Sequence, residues 1–85
     1  MCTMIADKLP LGGSAKGPQG WFSLDHAYVG YDHPTHAPYE HALTLDFVCE
    51  ASGPGARVAV ELSRQDARQL AEGILAALDE GAKHD

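Results

Sequence analysis

Basic residues are scarce in this sequence. Six lysines and arginines face twelve aspartates and glutamates, for a formal net charge of −6. A protein that tracks phosphates shows a basic stripe, so nucleic acid is not an expected partner. An anionic membrane surface is disfavoured for the same reason. Cysteine is scarcer still, with only Cys2 and Cys49. Two cysteines without a secretory signal do not make a disulfide framework. The start Met1-Cys2-Thr3-Met4-Ile5-Ala6-Asp7-Lys8 has neither a basic beginning nor an apolar run of signal length. No apolar stretch approaches the ~18 residues of a membrane span. These absences point to a cytoplasmic protein with reduced thiols. Cys49 reads as a small hydrophobe. Cys2 would offer an amine beside a thiol if Met1 were removed.

What remains is ordinary for a globular domain: 85 residues, 45% apolar and 21% charged. A chain this short forms one domain, residues 1–85, and hides little more than about 60% of its unfolded surface. So thin a core calls for support from a bound ion or a second subunit. A homodimer or higher homo-oligomer is therefore expected.

Residues 2–6 read as a short first strand. Residues 10–20, rich in glycine and proline with one serine, read as a flexible loop. They contain no Gly-Lys-Ser/Thr, so nucleotide binding is rejected there. Trp21 to Asp32 alternates as a strand, with Phe22, Leu24, His26 and Tyr28 on one face and Ala27, Val29, Tyr31 and His33 on the other. His41 to Glu50 and Arg57 to Leu62 are two more strands, and 51–56 is a turn. Ser63 is a helix cap with Asp66 three residues on. Ala67, Leu70, Ala71, Ile74 and Leu78 then share one helical face. The helix is expected over 63–80, stopped near Gly81, with 82–85 a frayed tail.

The fold class follows as α+β. An antiparallel sheet of three or four strands carries one C-terminal helix on one face. Placing Asp32 opposite His41 puts Tyr28 against Leu45 and His26 against Phe47. Phe47 then meets Val60, and Leu45 meets Leu62. That register puts the helix on the Phe22–Tyr28 side. It leaves Val29, Tyr31 and Val48 for a second subunit, through a two-fold axis.

The loop at 33–40 carries the densest chemistry. Asp32-His33-Pro34-Thr35-His36-Ala37-Pro38-Tyr39-Glu40-His41 holds three of the five histidines within nine residues. Imidazole is the commonest protein metal ligand, and three of them with an open position make a catalytic zinc site. Pro34 and Pro38 favour extended backbone before them, which helps His33 and His36 point one way. His33, His36 and His41 are thus the candidate ligands of a divalent transition metal. Zinc is the first choice, though imidazole does not discriminate sharply against copper, nickel or iron. Asp32 and Glu40 are candidate general bases. His26, Tyr28 and Tyr39 are pocket candidates, although a lone histidine on an inward face, such as His26, is more often a hydrogen-bonded core residue than a ligand. The plainer alternative is a polar hairpin loop with solvated histidines.

Several segments together carry a resemblance. Met1-Cys2-Thr3, Lys16-Gly17-Pro18-x-Gly20-Trp21-Phe22, the Asp32–His41 loop and Arg57-Val58-Ala59-Val60-Glu61-Leu62 resemble a family of short uncharacterised actinobacterial proteins. The likeness runs over nearly the whole chain. It implies a bacterial cytoplasmic origin and carries no activity or catalytic residue with it.

Three functions fit these residues. The first is a small cytoplasmic metal-binding protein, in its catalytic form a metalloenzyme acting on a small molecule through the histidine loop. The second is a non-catalytic oligomeric binding or accessory module. The third is a metal-free acid–base isomerase or cyclase built on His41 and a carboxylate.

Overall fold

The computed structural model describes residues 5–53 and 55–84. Of the expected first strand 2–6, Ile5 and Ala6 are strand, while residues 2–4, and Cys2 as a chelating terminus, lie outside the described residues. Four strands form one antiparallel sheet in the order β1 (Ile5–Gly17), β2 (Gly20–Asp32), β3 (Ala42–Val48), β4 (Arg57–Leu62). Helix α1 (Arg64–Ala82) follows and touches β3 and β4. The fold class is the α+β sheet-and-helix arrangement read from the sequence.

Residues 10–17 are strand, not the loop that their composition suggested. The tight turn Pro18-Gln19 joins β1 to β2, with Gly17 paired to Gly20. β1 is an edge strand, where a proline without an N–H is tolerated. The pairing runs from Ile5↔Tyr31 to Pro10↔His26 and resumes at Gly13↔Leu24, so β1 holds one extra residue there. Gly13 sits at φ 145°, open to glycine and strained for other residues. This bulge, with Lys8, Pro10 and Lys16 along the same edge, discourages edge-to-edge pairing.

The register differs from the expected one. Asp32 pairs with Ala42, not His41, so Val29 faces Leu45 and Tyr31 faces Leu43. In the next hairpin Leu45 faces Val60 and Phe47 faces Val58. A one-residue slip turns a strand's side chains to the other face. Val29 and Tyr31 therefore join Leu43, Leu45, Phe47, Val58, Val60 and Leu62 on the helix side. His26 and Tyr28 move to the opposite face, with Thr44, Asp46, Arg57 and Glu61. The observed register wins because it gathers the β-branched and leucine side chains on one face and leaves the other polar. The face reserved for a second subunit is corrected too: Val29 and Tyr31 lie beside the helix, while Val48, paired with His26, does not.

The helix starts as expected. Ser63 has an extended backbone, and its hydroxyl accepts the Asp66 N–H at 3.1 Å. It continues past Gly81, which is helical, to a Lys83 cap. Little is deeply buried. Ala27 at 2% and Ala42 at 0% are the buried apolar residues among those described.

Candidate functional site

Two groups of chemistry-bearing side chains lie at opposite ends of the β2–β3 hairpin. His26 and Asp32 are six residues apart on β2, about 20 Å at strand rise. This distance keeps His26 away from the histidine loop.

At the loop end, Glu61 on β4 acts as a latch. Its Oε1 accepts the backbone N–H groups of His36 and Ala37, each at 2.9 Å. Its Oε2 accepts the Thr35 N–H at 2.6 Å and the Thr35 hydroxyl at 2.9 Å. Three backbone donors around one carboxylate stabilise its charged form and hold its pKa down at about 2. The two prolines leave the loop few donors of its own, and Glu61 collects three consecutive ones. The loop is thereby drawn over the polar face of the sheet. Between them lies a cleft of about 810 Å³ whose walls include Asp32, His36, Thr44, Asp46, Arg57 and Glu61.

The three loop histidines take different positions. His33 Nδ1 is 2.8 Å from the Glu40 carbonyl oxygen, and the Asp32 carboxylate accepts the His33 N–H at 2.7 Å. The His33 and His41 rings stack at 4.7 Å, and His41 stacks in turn on Tyr31 at 5.8 Å. Arg64 extends the ladder, lying 5.4 Å from the Tyr31 ring and donating to its hydroxyl at 3.0 Å. His36 is exposed and borders the cleft. So His33 and His41 come together as a ring stack, and His33 and His36 both line the cleft. Glu40 and Tyr39 are exposed and are not among the residues that line the cleft.

At the other end, Asp25, His26 and Glu50 offer three ligand atoms that all lie within 4.8 Å of one another. Among the described residues no other group of three or more histidine, cysteine or carboxylate side chains meets that spacing. His26 Nδ1 is 3.0 Å from Asp25 Oδ1 and 3.0 Å from Glu50 Oε1. Lys8 Nζ reaches Glu50 Oε1 at 2.9 Å, and the Tyr28 hydroxyl donates to Oε2 at 3.0 Å. Asp25 also caps the short 3-10 turn Glu50–Ser52, accepting the N–H of Glu50 at 3.0 Å and of Ala51 at 3.3 Å. That backbone bond and His26 lower the Asp25 pKa. Lys8 and Tyr28 lower that of Glu50, and Glu50 in return raises that of Lys8.

Neighbouring residues on a strand normally point to opposite faces, yet Asp25 and His26 meet at one carboxylate. The bulge explains this, because Asp25 is the β2 residue between the pairs Pro10↔His26 and Gly13↔Leu24. Bulges increase twist and re-aim side chains. Sequence reasoning placed His26 and Tyr28 in a pocket but missed Asp25, Glu50 and Lys8. The mid-strand Gly12-Gly13 was the one signal of the bulge. Cys49, half-buried, lies 3.2 Å by its sulfur from the Ser52 hydroxyl.

No helix of the described residues is long and apolar enough to cross a membrane. No curated protein and no solved structure matches this chain. A family model does, over residues 1–85, so the chain belongs to the family of unknown function DUF6295.

Proposed function

We propose that this is a small metal-binding protein whose cation site is the Asp25–His26–Glu50 cluster. One observation carries the reading: two carboxylates and an imidazole, from β2 and the turn after β3, converge within 4.8 Å. Mixed nitrogen and oxygen donors suit zinc, with manganese, nickel and iron as alternatives. The Lys8 ammonium supplies positive charge at Glu50, and the imidazole nitrogen faces both acids. A metal would take over those contacts. Lys8, half exposed, can swing away. Metal ligands bind in their deprotonated forms, so metal and protons compete for the site. Tyr28 and the backbone N–H groups on Asp25 are the outer partners that would orient the carboxylates.

A second reading keeps the sequence's own ligand set, His33, His36 and His41, with Asp32 or Glu40 as base if the centre is catalytic. Its favouring observation is the latched loop over a polar cleft of about 810 Å³, which also suits a small-molecule ligand in a non-catalytic accessory module. Elemental analysis and zinc titration calorimetry on untagged protein separate the two sites. The expected result is about one zinc per chain, lost in His26→Ala and kept in the His33→Ala/His36→Ala double variant. The reverse pattern would move the site to the loop. Folded wild type that takes up no zinc would end both metal readings.

A further inference from the structure

The helix side of the sheet is unfinished as a single chain. Leu70 and Ile74 hang over a trough of about 430 Å³ floored by Val29, Tyr31, Leu43 and Leu45. Farther along the same stripe, Leu75 is 61% and Leu78 is 65% exposed. The helix packs on β3 and β4 and reaches β2 through Arg64 on Tyr31, leaving a trough along the rest of the β2 side of the apolar face. The whole chain exposes 6442 Å². A folded monomer of 9.0 kDa exposes about 4,900 Å². A standard interface takes about 800 Å² from each partner, so the excess of about 1,500 Å² is ample for one.

We propose that a second copy of this chain covers this face, the two α1 helices packing antiparallel across a two-fold axis near Ala71 and Ile74. Three observations choose this occupant. The stripe Ala67, Leu70, Ala71, Ile74, Leu75 and Leu78 centres on the middle of the helix, so antiparallel pairing matches it to itself. The exposed area fits a self-complementary interface. The charges also fit. Arg64 and Arg68 flank the stripe in the first two turns, beside one acid, Asp66, and Asp79 flanks it in the last turn, which has no basic residue. A helix dipole favours the opposite arrangement. Antiparallel pairing brings the basic start of each helix to the acidic end of the other. Each helix also comes to lie over the open β2 side of the other copy's sheet. The dimer is a single layer of two helices between two sheets, with both polar faces outward. The Asp25–His26–Glu50 cluster lies on that outward side, so the proposal stands whether or not a metal binds.

Light scattering on the full chain at micromolar concentration should give twice 9.0 kDa. In a Cys2→Ser/Cys49→Ser background, Ala71→Cys should be captured as a covalent dimer by a short bismaleimide. Ala76→Cys, on the opposite side of the helix, should not. Leu75→Glu/Leu78→Glu should lose the dimer. A folded 9.0 kDa monomer, capture at Ala76 as efficient as at Ala71, or a glutamate variant that remains dimeric would each overturn the proposal. The cysteine pair keeps the test decisive if the glutamate variant fails to fold.

Discussion

Acid should release the histidine loop much later than an ordinary glutamate would allow. Glu61 holds three consecutive backbone N–H groups and one hydroxyl of the loop. Its pKa is lowered from 4.5 to about 2 in the folded chain. A depressed folded value means the carboxylate favours the native state above its unfolded pKa, and this contribution fades as pH falls through the folded one. At pH 3.5 an unperturbed glutamate is about 90% protonated, whereas a group titrating near 2 is about 3% protonated. The window from pH 4.5 down to about 2 is therefore where the latch can be watched. Amide hydrogen exchange of Thr35, His36 and Ala37, followed by NMR against pH, is the assay. Relative to β3 amides, protection of the three should persist to about pH 2–3 in the wild type. Glu61→Gln should expose them at every pH, because a neutral amide offers one acceptor oxygen in place of two charged ones. Loss of wild-type protection at pH 4.5, or unchanged protection in Glu61→Gln, would refute the latch.

Two further substitutions test the elements that frame the sites. Ser63→Ala removes the acceptor of the Asp66 N–H and should cost about 1 kcal/mol in a urea melt followed by circular dichroism. Gly13→Ala meets only Leu24 Cδ1, at 4.0 Å, so space is adequate and the φ of 145° supplies the penalty, about 1 kcal/mol or more. By disturbing the bulge it should also shift the NMR signals of Asp25 and His26, an effect absent from Gly12→Ala, which has nothing within 4 Å.

The helix was legible almost to the residue, because its signals are local: a serine cap and a 3.6-residue stripe. β2, β3 and β4 were legible for the same reason. Their register was not, since alternation shows which residues share a face but not which face meets the partner. Val29 and Tyr31 look much like Phe22 and Leu24 until β3 is aligned with them. β1 was hidden by composition. Pro10, Gly12, Gly13 and Gly17 read as loop, yet an edge strand with a bulge and a tight turn uses such residues. The histidine loop was visible as chemistry, whereas its latch was not. Glu61 is 24 residues from Ala37, and nothing local distinguishes it from a solvated strand acid. The Asp25–His26–Glu50 cluster depends on register and bulge together, so it lay beyond what spacing reveals.

The latch also sets an order of events during folding. Each strand pairs with the next along the chain, so most contacts are near in sequence and the meander can zip progressively from its hairpins. The histidine loop is the exception. It connects β2 to β3, yet its backbone partner arrives only with Glu61 near the end of β4. On a ribosome the loop therefore emerges before the residue that latches it, and the N–H groups of Thr35, His36 and Ala37 wait for their acceptor until β4 has docked. A chain truncated just before β4 would still contain all three loop histidines, without the carboxylate that holds their loop in place.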